Sequence, residues 1–288
     1  AANQIEAVAT GDLFTALGFG ENEANGVVNT SSQVRLGSNV SIDSQNDLTI
    51  DAGSRDFGVS RARAGDRGAI PFSSGVGSMD VDIASTVSIG DGGSLQAKNK
   101  LNVLAGANLN TSTRGISDVG DFGLSLGSDV ATSALTDAVT AINVDIGTAT
   151  LQGDAVSIAS QINGVSVTTD TDSVAPYQFG GNTDATSRTN SITTTDLNLL
   201  GTRITGVSSV NLTSDQTAIS SKADALADAN AIGGDTDVVA DNVTTLQSEI
   251  LATTSSTINT PSLKVRAATP ATPTIQENPR RIRAGIDT

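Results

Sequence analysis

Carboxylates set in short alternating runs are the first residues that could do chemistry. Asp170-Thr171-Asp172, Asp235-Thr236-Asp237 with Asp241, and Asp80-Val81-Asp82 each gather two or three acids in a few residues. Calcium needs roughly six to eight oxygens converging on one point. None of these runs has the spacing of an EF-hand loop, and the Gly-Gly-x-Gly-x-Asp nonapeptide of calcium-binding β-rolls is missing. In an extended segment, acids at alternate positions line a solvated outer face. That is the expected role of these acids. Calcium at Asp170, Asp172, Asp235, Asp237 and Asp241 is the weaker alternative, and no other cofactor is expected.

Paired carboxylates also serve glycoside hydrolysis. That chemistry needs a groove lined by aromatic or basic side chains to hold sugar rings. Phe57, Phe72, Tyr177 and Phe179 are scattered instead, and basic residues are few in the body of the chain. Tyr177-Gln178-Phe179-Gly180-Gly181-Asn182 holds the one aromatic pair of the second half. Tyr177 and Phe179 are therefore a candidate surface contact, because loops on rigid scaffolds carry function. Thr-x-Thr runs such as Thr148-Ala149-Thr150 do not recur in register, and strand propensity accounts for them.

Composition narrows the choice further. The 288 residues include no Cys, His or Trp, and the aromatics are six Phe and one Tyr. Disulfides, thiolate or imidazole metal sites, and Ser-His-Asp or Cys-His catalysis are all excluded. A formal charge of −15 with few aromatics offers nucleic acid neither phosphate neutralisation nor stacking platforms. No run of about 18 apolar residues indicates a transmembrane helix. No enzymatic activity is expected.

The elements that hold these residues are short apolar dyads. Val40 and Ile42 precede Leu48 and Ile50; Val81 and Ile83 precede Val87 and Ile89; Leu95 and Ala97 precede Leu101 and Val103. Similar dyads follow at Val144 and Ile146, Val156 and Ile158, Leu197 and Leu199, and Val210 and Leu212. A spacing of two puts both side chains on one face of a strand. Gly, Ser, Thr, Asn and Asp between the dyads supply turns. Strands this short cannot make an independent sheet. Stacked as parallel rungs, each coil buries its dyads against its neighbours, and a narrow core has no room for large aromatics. Roughly ten such coils, at about 4.8 Å each, would give a rod on the order of 50 Å long.

Between the dyads, segment 54–78 reads as a mixed-charge surface excursion, carrying Arg55, Arg61, Arg63 and Arg67 beside Asp56 and Asp66. Segments 127–141 and 221–232 space their Ala, Val and Leu as short helices would. From residue 261 onward the chain holds four of its six prolines and is net +3, against −18 for the rest. Residues 1–267 are therefore expected to form the solenoid, and 268–288 an extended tail.

Two stretches close on Ala-Gly: Asn46-Asp47-Leu48-Thr49-Ile50-Asp51-Ala52-Gly53 and Lys100-Leu101-Asn102-Val103-Leu104-Ala105-Gly106. Over roughly residues 30–267 this texture resembles the repeats of filamentous-haemagglutinin-like large bacterial exoproteins. The resemblance implies a right-handed parallel β-helix, here with irregular loop or short helical insertions and an extended tail. It also implies a secreted, extracellular adhesin or surface structure of a bacterium, the chain being a piece of a longer fibre. Expected partners are further copies of the chain and a cell-surface glycan or protein receptor. A β-helical protein that binds or cleaves polysaccharide is the alternative.

Overall fold

The computed structural model describes residues 2–13, 17–66, 70–119, 125–127 and 129–283. Among them there is no helix. The first coil is β1 (Ala2–Leu13), β2 (Leu17–Leu36) and β3 (Ser41–Ser44). The second is β4 (Leu48–Asp66), β5 (Ile70–Ile89) and β6 (Ser94–Ala97). The third holds β7 (Lys100–Val119), β8 (Ser125–Leu126) and β9 (Asp129–Ile146). The fourth holds β10 (Thr150–Phe179) and β11 (Asn182–Leu199). The fifth holds β12 (Arg203–Gln216), β13 (Ile219–Ile232) and β14 (Asp235–Ala252). The last strands are β15 (Thr257–Asn259), β16 (Leu263–Ala268) and β17 (Thr274–Arg283).

Neighbouring coils pair in parallel, giving a parallel β-helix. Ala2 lies beside Arg55 and Phe72 beside Asp129, so one coil takes 53 to 57 residues. Long strands form two walls: a five-stranded sheet ordered β14-β11-β9-β5-β2, and the long rungs of a twelve-stranded sheet. The short strands β3, β6 and β15, with the first residues of β10 and β12, close one end as a third side. At this base the coil is wide. At the opposite end, the tip, the fourth and fifth coils reverse in tight turns at Gly180 and Gly233, whose φ values of 70° and 66° suit glycine.

The shape corrects the expected rod. Five to six rungs at about 4.8 Å stack to only about 25 Å, whereas a wall strand of 18 residues spans about 60 Å at about 3.3 Å each. The molecule is a slab. The dyads that suggested separate rungs are successive parts of one coil: Val81, Ile83, Val87 and Ile89 all lie on β5.

The core has two chemistries. At the base, Ile83, Leu95, Leu101, Ile142, Leu151, Ile158, Leu197 and Ile204 are fully buried in one apolar cluster. Toward the tip, inward positions carry Gly, Ala, Ser and Thr, and the walls come close enough for hydroxyls to bridge them. Ser60 Oγ donates to the Ala24 carbonyl at 2.7 Å, and Ser187 Oγ to the Thr169 carbonyl at 2.9 Å. A Cβ added at Gly75 would lie 2.5 Å from the Ile116 carbonyl oxygen of the facing wall. Only glycine fits there.

Three further expectations change. Segment 54–78 forms most of β4 and the first half of β5, while 67–69, with Arg67, lie outside the described residues. Segments 127–141 and 221–232 lie largely on β9 and β13. The alanines that point inward sit at even spacings, which suit a strand: Ala134 and Ala138 on β9, and Ala223, Ala225, Ala227 and Ala229 on β13. The stretch read as a tail leaving the solenoid instead adds a rung, β17 pairing in parallel with β13 from Ser220↔Thr274 to Ala229↔Arg283. Residues 284–288 lie outside the described residues.

Candidate functional site

Asp170 and Asp172 project outward from β10, beside Arg114 on the rung below. Arg114 Nε lies 3.2 Å from the Asp170 carboxylate, and its Nη2 bonds Asp172. Burial and then the Asp172 charge push Asp170 above the usual carboxylate range, against the opposing pull of Arg114. On the next rung Asp224 is paired with Lys222. These acids are matched by cations of the same face.

Asp235, Asp237 and Asp241 sit on β14, in the other wall, so the structure does not bring the two groups together. Arg281 of β17 reaches Asp235 at 3.5 Å. Asp184, in register with Asp237, is raised by burial, and the charges of Asp237, Asp129 and Asp235 add to that rise. Among the described residues, no three acids converge as a metal cluster. Of the aromatic pair, Phe179 is partly buried at the end of β10, and the Tyr177 side chain lies outside the described residues.

The two walls differ in charge. The five strands of the five-stranded sheet carry thirteen Asp and Glu against Arg35 and Arg188. Strands of the twelve-stranded sheet carry fourteen acids against twelve Lys and Arg. The acidity therefore divides by face, with a net −11 on one wall, and not between a rod and a tail.

Sequence reasoning missed two surface features. On the acidic wall the rings of Phe19 and Phe72 stack at 4.9 Å and 8°, and Phe19 is 74% exposed. On the opposite wall a shallow groove of about 400 Å3 crosses four rungs, lined by Arg55, Phe57, Asn108, Asn110, Ser166 and Ser220. Both follow the coil period, since Phe19↔Phe72 and Phe57↔Asn110 are rung neighbours. A search for like residues 53 apart would have found the ring pair.

The ends of the slab are the third feature. Val34, Val87, Val144, Leu197 and Ile250 form one inward column, and Ile42, Leu95, Leu151, Ile204 and Ile258 another. The middle members are fully buried, while Val34, Ile42, Ile250 and Ile258 are only partly so. Among the described residues, β2 and β14 are terminal strands, each with one edge unpaired. No protein-family model, curated protein or solved structure matches this chain.

Proposed function

We propose that the chain is a structural and adhesive segment of a secreted bacterial surface protein, a β-helical slab that presents its broad faces and associates through its ends. The single observation that carries this reading is the pair of long unpaired edges, β2 and β14, each underlain by half-covered apolar residues. Such edges template pairing with another chain. The resemblance of the repeats to filamentous-haemagglutinin-like exoproteins supports an adhesive role at a bacterial surface. Sedimentation of the chain over a wide concentration range, with and without calcium, tests it. Association that grows with concentration is expected; a monomer at every concentration would count against the reading.

A second reading, polysaccharide binding, is favoured by the groove across the less acidic wall. Phe57 offers an apolar face, and Arg55, Asn108 and Asn110 offer donors and acceptors of the kind that fix a ligand's orientation. Retention on immobilised polysaccharide that Phe57→Ala abolishes is the expected outcome.

A further inference from the structure

β17 holds, at the last rung of the tip, the place that β1 holds at the first. Ile5 of β1 lies in register with Gly58, and the same inward column runs through Thr111, Val167 and Ser221 to Ile275 of β17. A copy of the chain shifted up by five rungs would set its Val34 on Ile250 and its Ile42 on Ile258, apolar against apolar. Its β2 would continue β14, and its β3 would continue β15. Its β1 alone would find its position taken, because β17 already covers β13.

β17 is also built as an end. Pro279 removes a donor from its ladder. Glu277 points inward and its carboxylate accepts the Asn242 backbone N–H at 3.0 Å. Asn278 donates to Asp224 at 2.6 Å. Proline and inward charges on an edge strand discourage further pairing.

We infer that the upper end of the slab, formed by β13, β14 and β15, is a docking surface for the first coil of a second copy, and that β17 is a strap occupying the β1 part of it. The inference rests on the assembling role proposed above. Displacing β17 lets the incoming Ile5 replace Ile275 over Ser221 and sets the incoming Glu6 beside Lys222. It also stacks the incoming Glu21 beside Asp237, so association strengthens with salt.

The full chain has no cysteine, which makes the test clean. Ser221→Cys with Ile275→Cys places two thiols on adjacent rungs about 4.8 Å apart, within disulfide reach. Oxidation should hold the strap down and abolish association, and reduction should restore it. Ile275→Asn loosens the strap and should lower the concentration at which copies associate. Mixed single variants Val34→Cys and Ile250→Cys should crosslink between copies, as should Ile42→Cys and Ile258→Cys. Val34→Cys with Leu246→Cys, displaced by about 13 Å, should not. Association that the locked strap leaves unchanged, or crosslinks that ignore this register, would overturn the inference and leave the assembling role standing. Absence of association in the reduced and Ile275→Asn proteins would sink both.

Discussion

Thr136 donates its hydroxyl to Thr113 across the slab at 2.7 Å, and this bond is one step of a continuous zigzag. Thr189 donates to Thr169, and Thr169 to Thr136, each also at 2.7 Å. The four residues alternate between the two walls and are essentially buried. The chain of hydroxyls does in the tip what aliphatic side chains do in the base. It satisfies buried polar groups while letting the walls approach closely.

Thr136→Val keeps the shape and breaks the zigzag in its middle, leaving the Thr169 hydroxyl without its acceptor. The expected loss is about 1–3 kcal/mol. Thr111 is buried with a hydroxyl that has no hydrogen-bond partner. Thr111→Val should therefore be neutral or stabilising. Denaturant unfolding of the two variants separates them, and equal losses would contradict the zigzag.

Close approach of the walls makes a second prediction. Gly75→Ala drives a methyl group against the Ile116 carbonyl and should cost about 1–3 kcal/mol as the walls part. Gly53→Ala, whose added Cβ meets nothing nearer than the Asp51 carboxylate at 3.9 Å, should be tolerated. Melting temperatures of the pair give the comparison.

The core explains how much the residues revealed before the structure. Stacked parallel rungs were legible because the base is apolar: Val81, Ile83, Val87 and Ile89 announce themselves at spacing two. The tip was not, because Thr132, Thr136 and Thr140 on β9 carry no apolar signal although they point inward like Ile142. Parts of the second, third and fifth coils (54–78, 127–141 and 221–232) therefore resemble loop or helix in sequence, and the expected coil count is about double the observed one. Asp170 and Asp172 were visible as a pair, but their cation, Arg114, lies 56 and 58 residues away, one coil earlier. Only the period of the coil could have joined them.

Acid should stabilise the protein before it harms it. Asp170, Asp184 and Asp196 all have raised pKa values in the fold, chiefly through burial and then through neighbouring carboxylates: Asp172 and Asp224; Asp237, Asp129 and Asp235; Glu249 and Asp145. A raised acid binds its proton more tightly folded than unfolded, so stability falls as pH rises through the folded value. Thermal midpoints should therefore climb as pH falls from 7 toward about 4.5, a little above the unfolded value of about 3.9. Asp91 has the opposite sign. Hydrogen bonds from the Thr148 N–H and hydroxyl lower its pKa, and its contribution is lost below the unfolded value. A midpoint that drops steadily from pH 7 to 5 at fixed ionic strength would contradict this account of the three carboxylates.

End-to-end continuation of the coil is the central claim, and fibre diffraction from concentrated, aligned protein tests it most directly. The account predicts a reflection at about 4.8 Å along the fibre axis, with a subunit repeat of five rungs, about 24 Å. Fibres with the 4.8 Å spacing across their axis, or face-to-face stacks with no axial repeat, would contradict it.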